Sequence, residues 1–312
     1  MANQNQTTQS LTEVLRSPMV KKRFDDILGN NSGSFMSTIL TIVNNSSRLK
    51  MCSTGTILSA ASTAAALKLP ITPSLGFAYI VPYKVKDGYQ AQFQIGWKGL
   101  VQLAQRSNLY HRLHAGKVYE GQIEDIDFIT GDPIRGKKIS DNVVGYIAYM
   151  ELINGFTKTL YMSMDELREH AKKYSQSYAY DVKYNRATSV WSTNFDAMAK
   201  KTVLKQLLSK YGIMNVDANS TDMARALAAD QSVIRSDGTY HYVDNDRSRK
   251  MEMADIEANA DDELEAIPPH EDMVNEENTF DRIEPDIDEE IDNVTDAVEF
   301  ADSVEYTIPP EE

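Results

Sequence analysis

The sequence predicts an α+β protein: a helical N-terminal part, about five antiparallel strands crossed by helices, and an acidic C-terminal extension without regular structure. Three observations carry this. Two runs rich in aromatic and β-branched residues, 76–84 and 89–95, flank Asp87-Gly88, and a second pair, 143–153 and 156–162, flanks Asn154-Gly155. Both dipeptides supply the positive φ angles that a tight hairpin turn needs. Two capping boxes, Ser10–Glu13 and Ser163–Glu166, open helices on either side of the strands, each satisfying two backbone donors at a helix start. Finally, the charge is split. Residues 251–312 hold 24 Asp or Glu against one basic residue, Arg282, whereas residues 1–250 hold 31 basic and 22 acidic residues, a net of +9.

Taken in order, the first capping box and the stop at Gly29 define a helix over about 11–28. Apolar periodicity gives a second helix over 34–45 and an alanine-rich one over 53–69, ended by Pro70. Alanine faces let helices approach closely, which suits an internal core for 53–69. The first helix, behind its polar leader, is the candidate for subunit contacts. In the first hairpin the second run alternates: Gln90, Gln92 and Gln94 share one face, Ala91, Phe93 and Ile95 the other. The expectation is one wet and one packed side. Gly96-Trp97-Lys98-Gly99 then breaks the strand and opens an amphipathic helix ending near Arg106. Strands follow over 110–119 and 123–129, then a turn-rich loop over 130–142, the second hairpin, and the capped helix to about Tyr174. The tyrosine-crowded segment 175–187 reads as a surface loop, and a last helical stretch runs from about Ser189 to Gly212 with Trp191 and Phe195 in the core. Beyond about 216 the periodicity is lost. The acidic tail buries too little apolar surface to offset ordering entropy and reads as disordered.

Composition excludes several classes. The single cysteine, Cys52, rules out an internal disulfide and a multi-cysteine zinc site. The polar start MANQNQTTQ lacks a signal pattern, and the apolar windows are too short or too interrupted to span a bilayer, so a soluble cytoplasmic protein with no membrane role is expected. A basic body joined to an acidic tail points to polyanion binding by the body.

Two catalytic readings fail on context. Gly131 to Lys138 fits most of a phosphate loop, G-x(4)-G-K, but lacks the following Ser or Thr, and a strand follows it where a helix N-terminus is needed. ATP is therefore not expected. The D-x-K triplet of a nuclease occurs before residue 216 only as Asp181-Val182-Lys183, in the supposed loop, and Glu124, Asp125 and Asp127 lack a completing ligand. No metal site and no catalytic residue are assigned. What remains is a binding surface, since single strands are held by cations along the backbone with planar side chains near bases. The candidates are Lys84, Lys86, Gln94, Trp97, Lys98, Arg106, Arg112 and Lys117 around the hairpins; Arg135, Lys137 and Lys138 in a basic loop; Arg186; and Lys200, Lys201 and Lys205 on the last helix.

Four ordered blocks, GFAYIVPYK at Gly76, QFQIGWKGLVQLAQRS at Gln92, VYEG at Val118 and MAKKTV at Met198, resemble the signature blocks of the RecT family of phage single-strand annealing proteins over roughly residues 30–215. The resemblance implies a twisted antiparallel sheet crossed by helices, rings or helical filaments on single-stranded and annealed duplex DNA, and annealing without ATP. It places Lys98 and Arg106 in the GxKG block and Lys200 and Lys201 on a helix near the DNA. The expected division is 1–72 for subunit contacts, 73–215 for DNA, 216–250 as linker and 251–312 as a tail that either docks host single-strand binding protein and a phage exonuclease or inhibits the chain by competing for the basic groove. The rivals are a metal-dependent DNA-end nuclease and a passive single-strand protector.

Overall fold

The computed structural model describes residues 10–85, 88–214, 218–234 and 239–242. Lys86 and the acidic segment 251–312, with the docking role read for it, lie outside the described residues. The helix expected over 11–28 is two helices, Leu11–Arg16 (α1) and Pro18–Leu28 (α2). The break is local chemistry: Pro18 has no N–H to continue α1, while Ser17 accepts a hydrogen bond from the Val20 amide at 3.4 Å and restarts the helix. Helices Ser32–Asn45 (α3) and Thr54–Ala66 (α4) follow. Ala60, Ala61, Ala64 and Ala65 of α4 are buried, and α4 lies against the first hairpin. Lys68 turns left-handed after α4 (φ 51°).

That hairpin pairs Ala78–Val85 (β1) with Gly88–Ile95 (β2), Ala78 opposite Ile95 and Val85 opposite Gly88. Ala78, Ile80, Ala91, Phe93 and Ile95 are buried on the α4 side. The opposite side is not wet as expected: Gln92 is 1% exposed and Gln94 8%. Ser232 bridges to Phe93 at the β2 edge, and Val233 forms a small apolar cluster with Tyr83 and Val85. Alternation shows which residues share a face, but only the rest of the chain decides whether that face is covered. Neither end of the Gln92 amide has a hydrogen-bond partner, so burial there costs free energy.

Helix Trp97–Ser107 (α5) leaves the hairpin at once. Both glycines of the GWKG block are required sterically. A Cβ on Gly96 would stand 2.0 Å from the Gly76 carbonyl oxygen, and one on Gly99 2.2 Å from that of Phe77. The first turn of α5 therefore lies directly on the backbone entering β1. Gly99→Ala is expected to destabilise the fold by about 1–3 kcal/mol, because displacing a backbone carbonyl outweighs the gain in helix propensity; a denaturation midpoint equal to wild type would contradict this packing.

The other strands are Tyr110–Tyr119 (β3), Ile123–Ile126 (β4), Pro133–Arg135 (β5), Val143–Leu152 (β6) and Thr157–Ser163 (β7), then the short pair Val233–Ile234 (β8) and Tyr240–His241 (β9). Among the described residues these strands pair antiparallel, and Cys52 adds an isolated parallel bridge to Tyr89 of β2. Among the described residues the strands form separate ladders: β1-β2, β3-β6-β7, β4-β5 and β8-β9. In the three-stranded sheet Tyr146, Ala148 and Met150 are buried against the helix that carries the MAKKT block, whereas Arg112 and His114 on the opposite face are exposed.

Helix Met164–Tyr174 (α6) starts at its capping box, as expected. Residues 175–187 are largely a helix, Gln176–Tyr184 (α7), and not a loop. Its polar sequence concealed a tertiary anchor: Asp181 is 2% exposed and accepts hydrogen bonds from the Thr188 and Ser189 amides and the Thr188 and Ser192 hydroxyls. These contacts organise the start of Val190–Thr193 (α8), and the supposed nuclease aspartate is thereby a structural cap. Asn194 separates α8 from Phe195–Tyr211 (α9), where Trp191 packs edge-on against Phe195, their ring centroids 5.4 Å apart. Ala218–Ala229 (α10) replaces part of the expected linker, with Met223, Ala226 and Ala229 buried in the main core. No helix among the described residues is long and apolar enough to cross a membrane.

Candidate nucleic-acid interface

The first turn of α9 places Asp196 between cations from two elements. Lys200, one helical turn on, reaches it at 2.9 Å, and Lys117 from β3 at 3.3 Å. The Tyr146 hydroxyl of β6 donates to the same carboxylate at 3.0 Å. Burial works to raise the Asp196 pKa, but the Lys200 hydrogen bond and charge, then Lys117 and Tyr146, hold it below the usual carboxylate value. Two ammonium groups thus meet at one carboxylate. The Lys200 ammonium also lies 5.6 Å from the centre of the Trp97 ring, within reach of a cation–π contact. Three candidates, Trp97, Lys117 and Lys200, therefore meet at one half-exposed place where α5, α9 and β3 converge.

Lys201 and Lys205 turn elsewhere. Lys201 is 7% exposed and pairs at 2.9 Å with Asp230, which is fully buried at the end of α10; Lys205 reaches the other carboxylate oxygen at 2.6 Å. The Ile95 amide of β2 donates to Asp230 at 3.0 Å. Burial pushes the Asp230 carboxyl up, while the charges of Lys201 and Lys205 and their hydrogen bonds pull it below its ordinary value. This cluster ties α9, α10 and the first hairpin together. The reading of Lys201 as an open phosphate contact does not fit its burial: neighbouring residues on a helix point about 100° apart, and here Lys200 turns to Asp196 and Trp97 with 13% of its side chain exposed, and Lys201 to the buried Asp230.

Arg106 is likewise committed. Its guanidinium donates to the Leu67 carbonyl and, at 3.4 Å, to that of Lys68, with Asp222 at 3.9 Å, so it closes the C-terminus of α4. Arg112 pairs loosely with Glu151 at 3.6 Å and is 70% exposed. It stands on the exposed face of the three-stranded sheet, and Arg135 is exposed on β5. Lys138 bonds Asp141 at 2.6 Å and lies 4.1 Å from the Tyr119 ring centre, and Lys137 is exposed next to it. Arg186 lies over the Tyr180 ring at 5.5 Å, near the end of α7. Lys84 and Lys98 are half-buried, and Gln94 is covered. Among the described residues no group of three or more His, Cys, Asp or Glu side chains is gathered where a metal ion could sit.

The RecT family model matches residues 33–244. The chain belongs to the RecT family. Relatives include the uncharacterized protein YqaK of Bacillus subtilis (strain 168), 40% identical over 206 residues, covering 65% of this chain and 68% of that protein. Protein RecT of Escherichia coli (strain K12) is 28% identical over 207 residues, covering 62% of this chain and 72% of that one. The RecT match takes in α10 and Asp230, beyond the range over which the signature blocks alone show the likeness. Asp196 could have been found from sequence, because it stands four residues before Lys200 on one helix face. Asp230 carried no such signal: its partners are 25 and 29 residues away in the chain.

Proposed function

We propose that this RecT-family chain anneals complementary single DNA strands without ATP, as a binding protein and not a catalyst, in an oligomer that holds one backbone along its basic surface. The observation that carries this reading is the Lys117–Asp196–Lys200 cluster beside Trp97, which sets two ammonium groups next to a planar ring, the combination that suits phosphate and base together. Arg112, on the opposite face of the same sheet, and Arg135 on β5 are further exposed cations. Pairing between the strands supplies specificity, and the protein reduces the repulsion between two polyanions.

The test mixes complementary oligonucleotides with and without the protein, in the absence of ATP. Faster pairing is expected, whereas a passive protector would slow it and an end nuclease would shorten end-labelled strands when magnesium is added. With about five phosphates neutralised per subunit, log affinity should fall with log salt at a slope near −3 to −4. An affinity indifferent to salt would overturn the reading.

A further inference from the structure

One end of the three-stranded sheet carries an apolar surface that strand binding leaves unexplained. Phe128 and Ile129, at the tip of the β4–β5 arm, are 93% and 79% exposed; Ile153 and Phe156 of the β6–β7 turn and Tyr211 and Met214 at the end of α9 are exposed as well. Shared contacts gather these segments. Lys158 of β7 donates to the Thr130 carbonyl, pairs with Asp132 at 3.5 Å and lies 5.8 Å from the centre of the Tyr211 ring, which brings the tip to the end of α9. The Ile153 amide donates to the Leu109 carbonyl at 3.0 Å, and the Tyr110 hydroxyl lies against Gly212, where a Cβ would approach it to 3.0 Å. The tip itself is fixed, since Asp127 accepts from the Ile129 amide at 2.8 Å and the Thr130 amide at 3.1 Å. A braced surface that holds large apolar side chains in water marks a contact site.

Charge decides what fits it. Residues 124–132 hold Glu124, Asp125, Asp127 and Asp132 and no cation, and Lys158, which reaches them from β7, is paired with Asp132. Such a tip repels a phosphate backbone and attracts lysine and arginine side chains. Two cavities of the chain itself do not answer this demand: that between α3 and β1, about 540 Å³, is lined by uncharged residues alone, and the α6–α7 cleft, about 830 Å³, sets Glu166 and Glu169 among its cations. We propose that this end of the molecule docks a protein other than this chain, with Phe128 and Ile129 entering an apolar pocket whose basic rim faces the carboxylates of the arm. Phe128 and Ile129 are the anchors. Opposite charge speeds the encounter and makes it salt-sensitive, while the apolar anchors set how long it lasts. The surface shares no residue with the Lys117–Asp196–Lys200 cluster, so the proposal stands apart from the annealing reading.

The experiment places the photo-crosslinker p-benzoylphenylalanine at position 128 of the full chain, in the cells that naturally carry it, with the exposed position 169 on α6 as control. Illumination followed by nuclease digestion is expected to leave a discrete adduct with one other protein from position 128 and not from position 169. That protein, purified, is titrated with the wild-type chain, with Phe128→Ser plus Ile129→Ser, and with Glu124→Lys plus Asp125→Lys. The apolar variant should bind at least about tenfold more weakly, the scale of losing one or two buried apolar side chains. The charge variant should also bind more weakly, and wild-type binding should fall as salt rises. Unchanged thermal unfolding confirms that both variants fold. An absent adduct, an adduct with a second copy, or one that nuclease removes overturns the proposal, as does wild-type affinity in either variant. Pairing of complementary oligonucleotides is read in parallel and should proceed equally with the wild-type chain and the apolar variant. Slower pairing by that variant would put the tip in the path of the strand and overturn the proposal, whereas a wild-type chain that fails to speed pairing overturns the annealing reading alone.

Discussion

Replacing Asp230 by alanine is expected to lower the unfolding free energy by about 3–5 kcal/mol, the cost typical of removing one partner from a buried ion pair. The residue is inaccessible to solvent, and its carboxylate is the counter-ion of Lys201, itself 7% exposed. Without it, a buried ammonium loses its carboxylate partner and the Ile95 amide its acceptor. Denaturant unfolding of the full chain measures this. A midpoint equal to wild type would show that the cluster contributes nothing. The pH dependence has a definite sign. Despite the opposing effect of burial, Asp230 titrates lower in the folded chain than its ordinary value. Its contribution is therefore complete above about pH 4, the usual range of an aspartate, and is lost as pH falls through the depressed folded value. Wild type should lose stability more steeply below pH 4 than Asp230→Ala.

The second large effect sets two neighbouring residues of the MAKKT block against each other. Lys201→Glu brings a second carboxylate to the fully buried Asp230. It is expected to abolish folding, seen as loss of a cooperative thermal transition. Lys200→Glu reverses charge at a half-exposed cluster, turning two cations around Asp196 into one. The chain should still fold, but single-strand affinity should fall at least about tenfold and the salt slope should flatten by about 0.7 or more per lost phosphate contact. Circular dichroism and oligonucleotide anisotropy read the two arms. Cooperative melting of Lys201→Glu at the wild-type temperature would sink the structural role. Unaltered strand affinity in Lys200→Glu would remove Asp196 and its lysines from the interface.

The fold class was legible because hairpins and capped helices announce themselves locally. Asn154-Gly155 and the Ser163–Glu166 box gave β6, β7 and α6 almost to the residue. Errors arose where distant chain decides. The glutamine side of β2 alternates like a solvated strand, yet residues 230–233 cover that edge from 135 positions away in the case of Asp230 and Ile95. The polar residues of α7 suggested a loop, since nothing local shows that Asp181 gathers Thr188, Ser189 and Ser192. For the site, sequence identified the cations but not their anions. Charge counting treats every lysine as available, whereas Asp196 and Asp230 divide Lys200, Lys201 and Lys205 of α9 between two carboxylates.

The shared carboxylate at Asp196 also bears on how a strand could travel. Lys117 and Lys200 are already ordered when the chain folds, so a phosphate arriving there does not bear the full rotamer entropy of about 0.5–1.5 kcal/mol for each long side chain immobilised on binding. On the annealing reading, Asp196 stays beside both lysines after a phosphate leaves, so neither is stranded, each step is shallow, and a backbone can shift its register past the subunit without letting go.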